Sequence, residues 1–276
     1  MKNCYVFITD NNYVDFTQIA VRSLLEHSPQ FDIIVYTYNV EKLEIPNIKK
    51  REILDLENLD YEIKGIAVNN LPLLAYRIKI LDKLKEEYDK IMMLDTDMIF
   101  LENIDYLFNF SDTNIVGRDE MEGQIINRKE KNNSLWFSSK YYLNSGLLVF
   151  PSSILRKHNL YYEFKNELLQ RHEKYICPEQ DFINFTFKDC LQDIGYFFNC
   201  FVSNSPEIEF EKIRVIHFCG LARPTRVPQV LMKVSKKFYD VFNFFLNRYK
   251  QYISSDFYNQ NIKALKNREI FNGKQY

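Results

Sequence analysis

A chain of 276 residues, 46% hydrophobic and 16% aromatic, carries enough apolar surface for a large buried core, which excludes a disordered segment. Its formal net charge of -1 gives no general attraction for nucleic acid. Its five cysteines (Cys4, Cys177, Cys190, Cys200, Cys219) contain no CxxC pair, against both a disulfide framework and a zinc knuckle. No uncharged run approaches the roughly 20 residues that span a bilayer, and the opening MKNCYVFITDNNY turns polar too early for a secretory signal. A soluble, cytoplasmic protein is the expectation.

In chain order, CYVFIT (4–9) is a short β-branched and aromatic run that ends in the polar cluster TDNN, the pattern of a buried strand entering a loop. Asp15 is placed to cap a helix whose apolar positions Ile19, Ala20, Leu24 and Leu25 have helical spacing and which stops near Ser28 and Pro29. DIIVYTY (32–38) is a second strand and KREILDL (50–56) a weaker third. LLAYRIKILDKLKEE (73–87) has a helical period, and KIMML (90–94) is another buried strand. This β-α-β-β-α-β order predicts an α/β fold: a Rossmann-like, mostly parallel sheet with helices on both faces. In such sheets ligands gather beyond the carboxyl ends of strands, where Asp10 and Asp95 both fall.

Farther on, residues 121–142 are polar and aromatic without a clear period, as binding loops often are. NSGLLVF (144–150) reads as a strand, 152–171 as a helix, and a second helix starts at Pro178 with Glu179 in its first turn. IRVIHF (213–218) is a strand that ends in the turn CGLARPTRVP. Residues 229–252 are helical and rich in aromatics. The division expected is a main domain over 1–225 and a helical C-terminal extension over 226–276. That extension holds ten Lys or Arg against three Asp or Glu, leaving 26 against 34 in the body.

Within KIMMLDTDMIFL, Asp95 and Asp97 flank Thr96. In extended chain, residues i and i+2 share a side, so both carboxylates can meet one ligand. A hard divalent cation suits them, because magnesium and manganese take oxygen ligands and leave positions for water and phosphate. A turn-capping role would also account for the pair.

The motifs TDNNY, LDTDMIFL, NSGLLVF, EQDFIN and HFCGLARP, in that order over residues 9–224, resemble those of glycosyltransferase family 8, which includes glycogenin and bacterial lipooligosaccharide galactosyltransferases. The resemblance implies a GT-A fold, a UDP-sugar donor, Mn2+ (with Mg2+ as the other option) and hexosyl transfer with retention of configuration. It puts Asp95, Asp97 and His217 on the metal, and an imidazole ligand favours manganese over magnesium. It assigns Thr9, Asp10, Asn12, Tyr13 and Arg77 to the donor, Tyr13 stacking on the base, with Thr96, Gly146, Gly220 and Arg223 also on the donor side. Asp119, Asn144, Glu179, Gln180 and Asp181 fall at the sugar. Two positions depart from the family: Arg223-Pro224-Thr225 stands where Lys and Pro-Trp are usual, and Glu179 where Asp is usual. One methylene can move a carboxylate by about an ångström, enough to alter which sugar is accepted.

Two other functions fit parts of the chain. LDTDMI echoes the strand end of haloacid-dehalogenase-type phosphatases, although there the first strand carries it. A non-catalytic module that binds nucleotide sugar or glycan would use the same pocket. The acceptor is not readable: a glycan, a glycolipid, a small polyol and a protein hydroxyl all remain, as does the oligomeric state, homodimer included. Phe238, Phe242, Phe245 and Tyr249 recur at helical spacing; they can pack on the main domain or, with the basic tail, rest on an anionic membrane.

Overall fold

The computed structural model describes residues 1–53, 71–120, 139–172, 175–202, 209–220 and 236–272. β1 (Asn3–Asp10), α1 (Val14–His27), β2 (Asp32–Tyr38), β3 (Lys49–Glu52), α2 (Leu71–Leu84) and β4 (Lys90–Leu94) follow in the order read from the sequence. The chain continues through β5 (Met98–Phe100), β6 (Ile115–Asp119), β7 (Leu143–Pro151), α3 (Ser152–Leu155), α4 (Leu160–Arg171) and α5 (Pro178–Thr186). It then forms β8 (Leu191–Asp193), β9 (Cys200–Phe201), β10 (Val215–His217), α6 (Lys236–Arg248) and α7 (Ser255–Asn272).

The main sheet has the order β3-β2-β1-β4-β7-β6-β8, and only β7 runs against the other six strands. Side chains alternate across it, as a pleated strand requires. Cys4, Val6, Ile91 and Met93 face one layer with α2, α4 and α5, whereas Tyr5, Phe7, Met92 and Leu94 face the other with α1. Both layers are sealed, so the central strands read as continuous apolar runs. The edge strand β3 is Lys-Lys-Arg-Glu, and its charges guard an otherwise pairable edge. A small second sheet, β5-β10-β9, lies beside α1, with β5 antiparallel and β9 parallel to β10.

Several elements differ from the sequence reading. Asp15 is not the cap of α1: Tyr13 holds that position, and Asp10 makes the turn by accepting hydrogen bonds from the backbone N–H of Asn12 (2.9 Å) and Tyr13 (3.1 Å). Asp15 instead accepts from the backbone N–H and hydroxyl of Ser254, tying the C-terminal helices to α1. The helix expected over 152–171 is two helices. Asp82 of α2 accepts from the backbone N–H of Leu160 (3.1 Å) and Tyr161 (2.7 Å), starting α4 afresh with a cap supplied from another element. The short strands β5, β6, β8 and β9 and the helix α7 carry no pattern strong enough to have been expected. Residues 54–56 and 229–235 of the expected elements lie outside the described residues.

Phe238, Phe242, Phe245 and Tyr249 of the C-terminal stretch are buried, in one cluster with Phe16 and Ile19 of α1 and Ile216 and Phe218 around β10. Packing is therefore what these four rings do. Among the described residues no helix is long and apolar enough to cross a membrane.

Candidate active site

The Asp95-Thr96-Asp97 triplet is the crossing point between the two sheets. β4 ends at Leu94; Asp95 is held by its N–H bond to the carbonyl of Gly146 on β7 (2.8 Å); and the carbonyl of Asp97 accepts from the N–H of Phe218 (2.8 Å) as the chain enters β5. In the antiparallel register of β5 with β10, His217 sits opposite Met98. That register carries an imidazole 120 residues away in sequence to the side of the triplet. Ligand atoms of Asp95, Asp97 and His217 all lie within 4.8 Å of one another.

The hydrogen-bond network fixes which nitrogen of His217 faces the carboxylates. A backbone N–H can only donate, and that of Gly146 donates to Asn144 Oδ1 (2.9 Å). Asn199 Nδ2 donates to the same oxygen (2.8 Å), so Asn199 Oδ1 is the atom 2.8 Å from His217 Nδ1 and receives its hydrogen. Nε2, the nitrogen left on the site side, then faces Asp97 Oδ1 (3.3 Å) and Asp95 Oδ2 (3.5 Å). Two carboxylate oxygens and an imidazole nitrogen converging in this way call for a cation, either a proton on Nε2 or a metal ion that replaces it. The residues fit a divalent ion with mixed oxygen and nitrogen ligands.

Glycine is needed at position 146 because of this ring. A Cβ there would lie 2.4 Å from His217 Cε1 and 2.9 Å from both His217 Nδ1 and Asn144 Oδ1. Gly220, three residues past His217, is called for by its φ of +61°, a left-handed backbone that glycine adopts without strain.

Arg77, buried on α2, backs the site. Its Nη1 pairs with Asp95 Oδ1, Nη2 donates to the carbonyl of Ser145 (2.7 Å), and Nε lies 3.1 Å from Glu179 Oε1. This last contact is ionic only, since Nε makes no hydrogen bond of acceptable geometry. Burial works to lower the Arg77 pKa, but Glu179 and Asp95 outweigh it and hold the guanidinium charged. Glu179 is 3% exposed, and its carboxyl is pushed up to about 7, chiefly by burial, with Arg77 and the Ser145 hydroxyl acting in the opposite direction.

A raised carboxyl pKa destabilises the fold as the group ionises. Relative to its ordinary 4.5, Glu179 binds its proton more tightly when folded, so stability falls as pH rises from about 4.5 to about 7, and the penalty is complete above that. Glu179→Gln should thus melt higher than the native chain at pH 8, by an amount on the order of 3 kcal/mol, and the two melting curves should converge as pH is lowered toward 4.5. A constant difference across that range would refute the assignment.

On the sugar side, Gln180 Oε1 accepts from the backbone N–H of Ser145 (2.8 Å) and from Asn144 Nδ2 (3.2 Å), while Gln180 Nε2 donates to Glu120 Oε1 (2.5 Å). Gln180, Asn144 and Glu179 are thus assembled beside the triplet. Asp119 and Asp181 are turned to the backbone. Asp119 Oδ1 accepts from the N–H of Tyr142 (2.8 Å). Asp181, fully buried, accepts from the N–H groups of Ile176 (2.7 Å) and Cys177 (3.0 Å) and from the Tyr142 hydroxyl, closing the start of α5.

Beyond the ends of β1 and β4 a cleft of about 220 Å³ is lined by Thr9, Asp10, Tyr13, Arg77, Asp95, Thr96, Asp97 and Ser145, among others. Thr9 is buried and its hydroxyl accepts from that of Thr17 (2.8 Å). Asn12 is exposed beside the cleft, with its side chain 3.3 Å from Asp10. Arg223 and residues 121–138 lie outside the described residues. Sequence reasoning did not single out Ser145, Glu120 or Asn199. The first two adjoin recognised motifs, whereas Asn199 carries no local signal at all.

The family model described as glycosyl transferase family 8 matches residues 4–224. The chain belongs to glycosyl transferase family 8. Among curated relatives, galactinol synthase 4 of Arabidopsis thaliana is 28% identical over 176 residues, covering 53% of this chain and 50% of the relative. Galactinol synthase 3 of the same plant is 25% identical over 239 residues, 72% and 70% of the two chains. The chain spans about half the length of the first of these. Among solved structures, the galactosyltransferase LgtC, in complex with donor and acceptor sugar analogues, superposes with a TM-score of 0.59 at 19% identity, over 81% of this chain and 89% of that one. The bifunctional glycosyltransferase WbbM gives 0.63 at 17% identity, over 96% and 49%. The family 8 chain therefore has the GT-A fold. Membership of this family also displaces the phosphatase reading of LDTDMI.

Proposed function

We propose that this family 8 chain is a Mn2+-dependent, retaining glycosyltransferase that moves a hexose from a UDP-sugar to a hydroxyl acceptor. The observation that carries the reading is the convergence of an imidazole nitrogen with two carboxylates that line the cleft beyond β1 and β4. Asp95, Asp97 and His217 would hold the metal, which when bound supplies Lewis-acid neutralisation of the charge that grows on the departing diphosphate. Thr9, Asp10, Asn12 and Tyr13 would hold the nucleoside. Arg77 keeps Asp95 aimed at the site, and Arg223, the cation of the HFCGLARP motif, would meet the diphosphate.

Gln180 bears on the route to retention. Its carbonyl oxygen already accepts from two donors, so little lone-pair density is left for attack on an anomeric carbon. That supports front-face attack, in which a departing phosphate oxygen takes the acceptor's proton and Gln180 shapes the site without bonding to the sugar. Gln180→Ala should accordingly keep measurable turnover, about tenfold to a hundredfold below the native rate because a positioning group is lost. Turnover below detection in a folded variant would refute this.

Relatives named galactinol synthase and galactosyltransferase make galactose the first donor sugar to try. The direct test is a panel of UDP-galactose, UDP-glucose and UDP-N-acetylglucosamine, with and without Mn2+, reading UDP release and intact protein mass against glycan, glycolipid and polyol acceptors. No Mn2+-dependent UDP release from any donor would overturn the proposal and favour a binding module.

A further inference from the structure

We propose that Asn199 is a positioning residue that sets two parts of the site at once: the tautomer of the metal ligand His217 and the orientation of Gln180 through Asn144. The inference rests on the metal-dependent reading above and extends it to a residue that no motif marks.

The side chain of Asn199 is fully buried between the two groups. Its oxygen receives the hydrogen of His217 Nδ1, and its nitrogen donates to Asn144 Oδ1. Asn144 in turn gives its own nitrogen to Gln180 Oε1. One polarised row of amides thus runs from His217 through Asn199 and Asn144 to Gln180 and on to Glu120. The N–H groups of Gly146 and Ser145 pin its direction, because neither can accept. Asn199 is held in place from behind as well. Its carbonyl takes a hydrogen bond from Arg118 Nη1 (2.7 Å), and Arg118 stacks on Phe201, whose ring lies edge-on to His217.

Only a side chain with an acceptor on one branch and a donor on the other satisfies both neighbours. A ligating histidine commonly gives its second N–H to an acceptor, and loss of that acceptor typically costs tenfold to a hundredfold in metal affinity. Asn199→Asp keeps the oxygen toward His217 but puts a second oxygen against Asn144 Oδ1. The two acceptors repel, Asn144 turns away, and Gln180 Oε1 is left with the Ser145 N–H alone of its two donors. Asn199→Leu, similar in volume, removes both bonds.

The experiment is Mn2+ titration of the metal-free chain by calorimetry, for the native protein, Asn199→Asp, Asn199→Leu and Asp97→Asn, with circular dichroism to confirm folding and hydrolysis of whichever UDP-sugar the native chain accepts. Asn199→Leu should bind Mn2+ about ten to a hundred times more weakly. Asn199→Asp should stay within about threefold of native for Mn2+ while its kcat falls at least about tenfold and KM changes little. The two variants therefore part company, which a merely structural role would not produce. Asn199→Asp differs so little in shape that it keeps the test decisive should Asn199→Leu fail to fold. Native Mn2+ affinity in Asn199→Leu, beside weak binding by Asp97→Asn, overturns the inference alone. So does Asn199→Asp with native kcat, or with Mn2+ affinity as poor as that of Asn199→Leu. A native chain with no affinity for Mn2+ overturns the metal reading and the inference together.

Discussion

Asp97→Asn should lower kcat/KM at a fixed, subsaturating Mn2+ concentration by about a thousandfold, equivalent to roughly 4 kcal/mol of transition-state stabilisation, and should move the Mn2+ half-saturation point up by at least about a hundredfold. The substitution keeps the size and hydrogen-bonding reach of the side chain and removes only its charge. Asp97 is 4% exposed, with its Oδ1 3.3 Å from His217 Nε2. The metal-free variant should keep the native circular dichroism spectrum even as its activity collapses. A native spectrum with collapsed activity separates loss of a ligand from loss of the fold. A variant with native Mn2+ dependence would remove Asp97 from the metal site.

Gly146→Ala should cost about 1–3 kcal/mol of stability, the usual range for overpacking a filled interior, and should weaken Mn2+ binding at least about tenfold. The added carbon would stand 2.4 Å from His217 Cε1, so something must move. The ring has little freedom, being 2% exposed and held by Asn199 and Phe201. Neither can the backbone at 146 withdraw cheaply. Its N–H anchors Asn144 and its carbonyl receives the N–H of Asp95, so retreat would pull on a metal ligand and on the row of amides together. Combined with His217→Ala, which empties the space the methyl would invade, most of the stability cost of Gly146→Ala should vanish. A coupling of about 1–2 kcal/mol between the two positions is expected in a double-mutant cycle of chemical denaturation. Simple additivity would show that the glycine is required for another reason.

Much of the molecule was legible before its structure. Strands β1, β2 and β4 and the helices α1 and α2 follow from runs such as CYVFIT and KIMML and from the helical period of 73–87, because a strand sealed on both faces must be apolar throughout. The cluster of Asp95, Asp97 and His217 was legible for another reason: its members stand in short motifs whose order is recognisable. Where the reading failed, neighbours distant in sequence decided the outcome. Asp82 splits the helix expected over 152–171 by capping α4 from α2, and β5 and β9, three and two residues long, form by pairing with β10.

The sequence by itself determined the central strands β1, β2, β4 and β7, the sealing of the sheet's two faces, and which three side chains to look for together, since apolar periodicity and short motifs are local properties of the chain. Only the tertiary structure decided how those side chains are presented. The pairing of β5 with β10 carries His217 to the aspartates, the absent side chain of Gly146 leaves room for its ring, and Asn199, with no signal of its own, dictates which nitrogen it offers. Hydrogen-bond polarity depends on the partner at each end of every bond, and those partners lie dozens of residues apart.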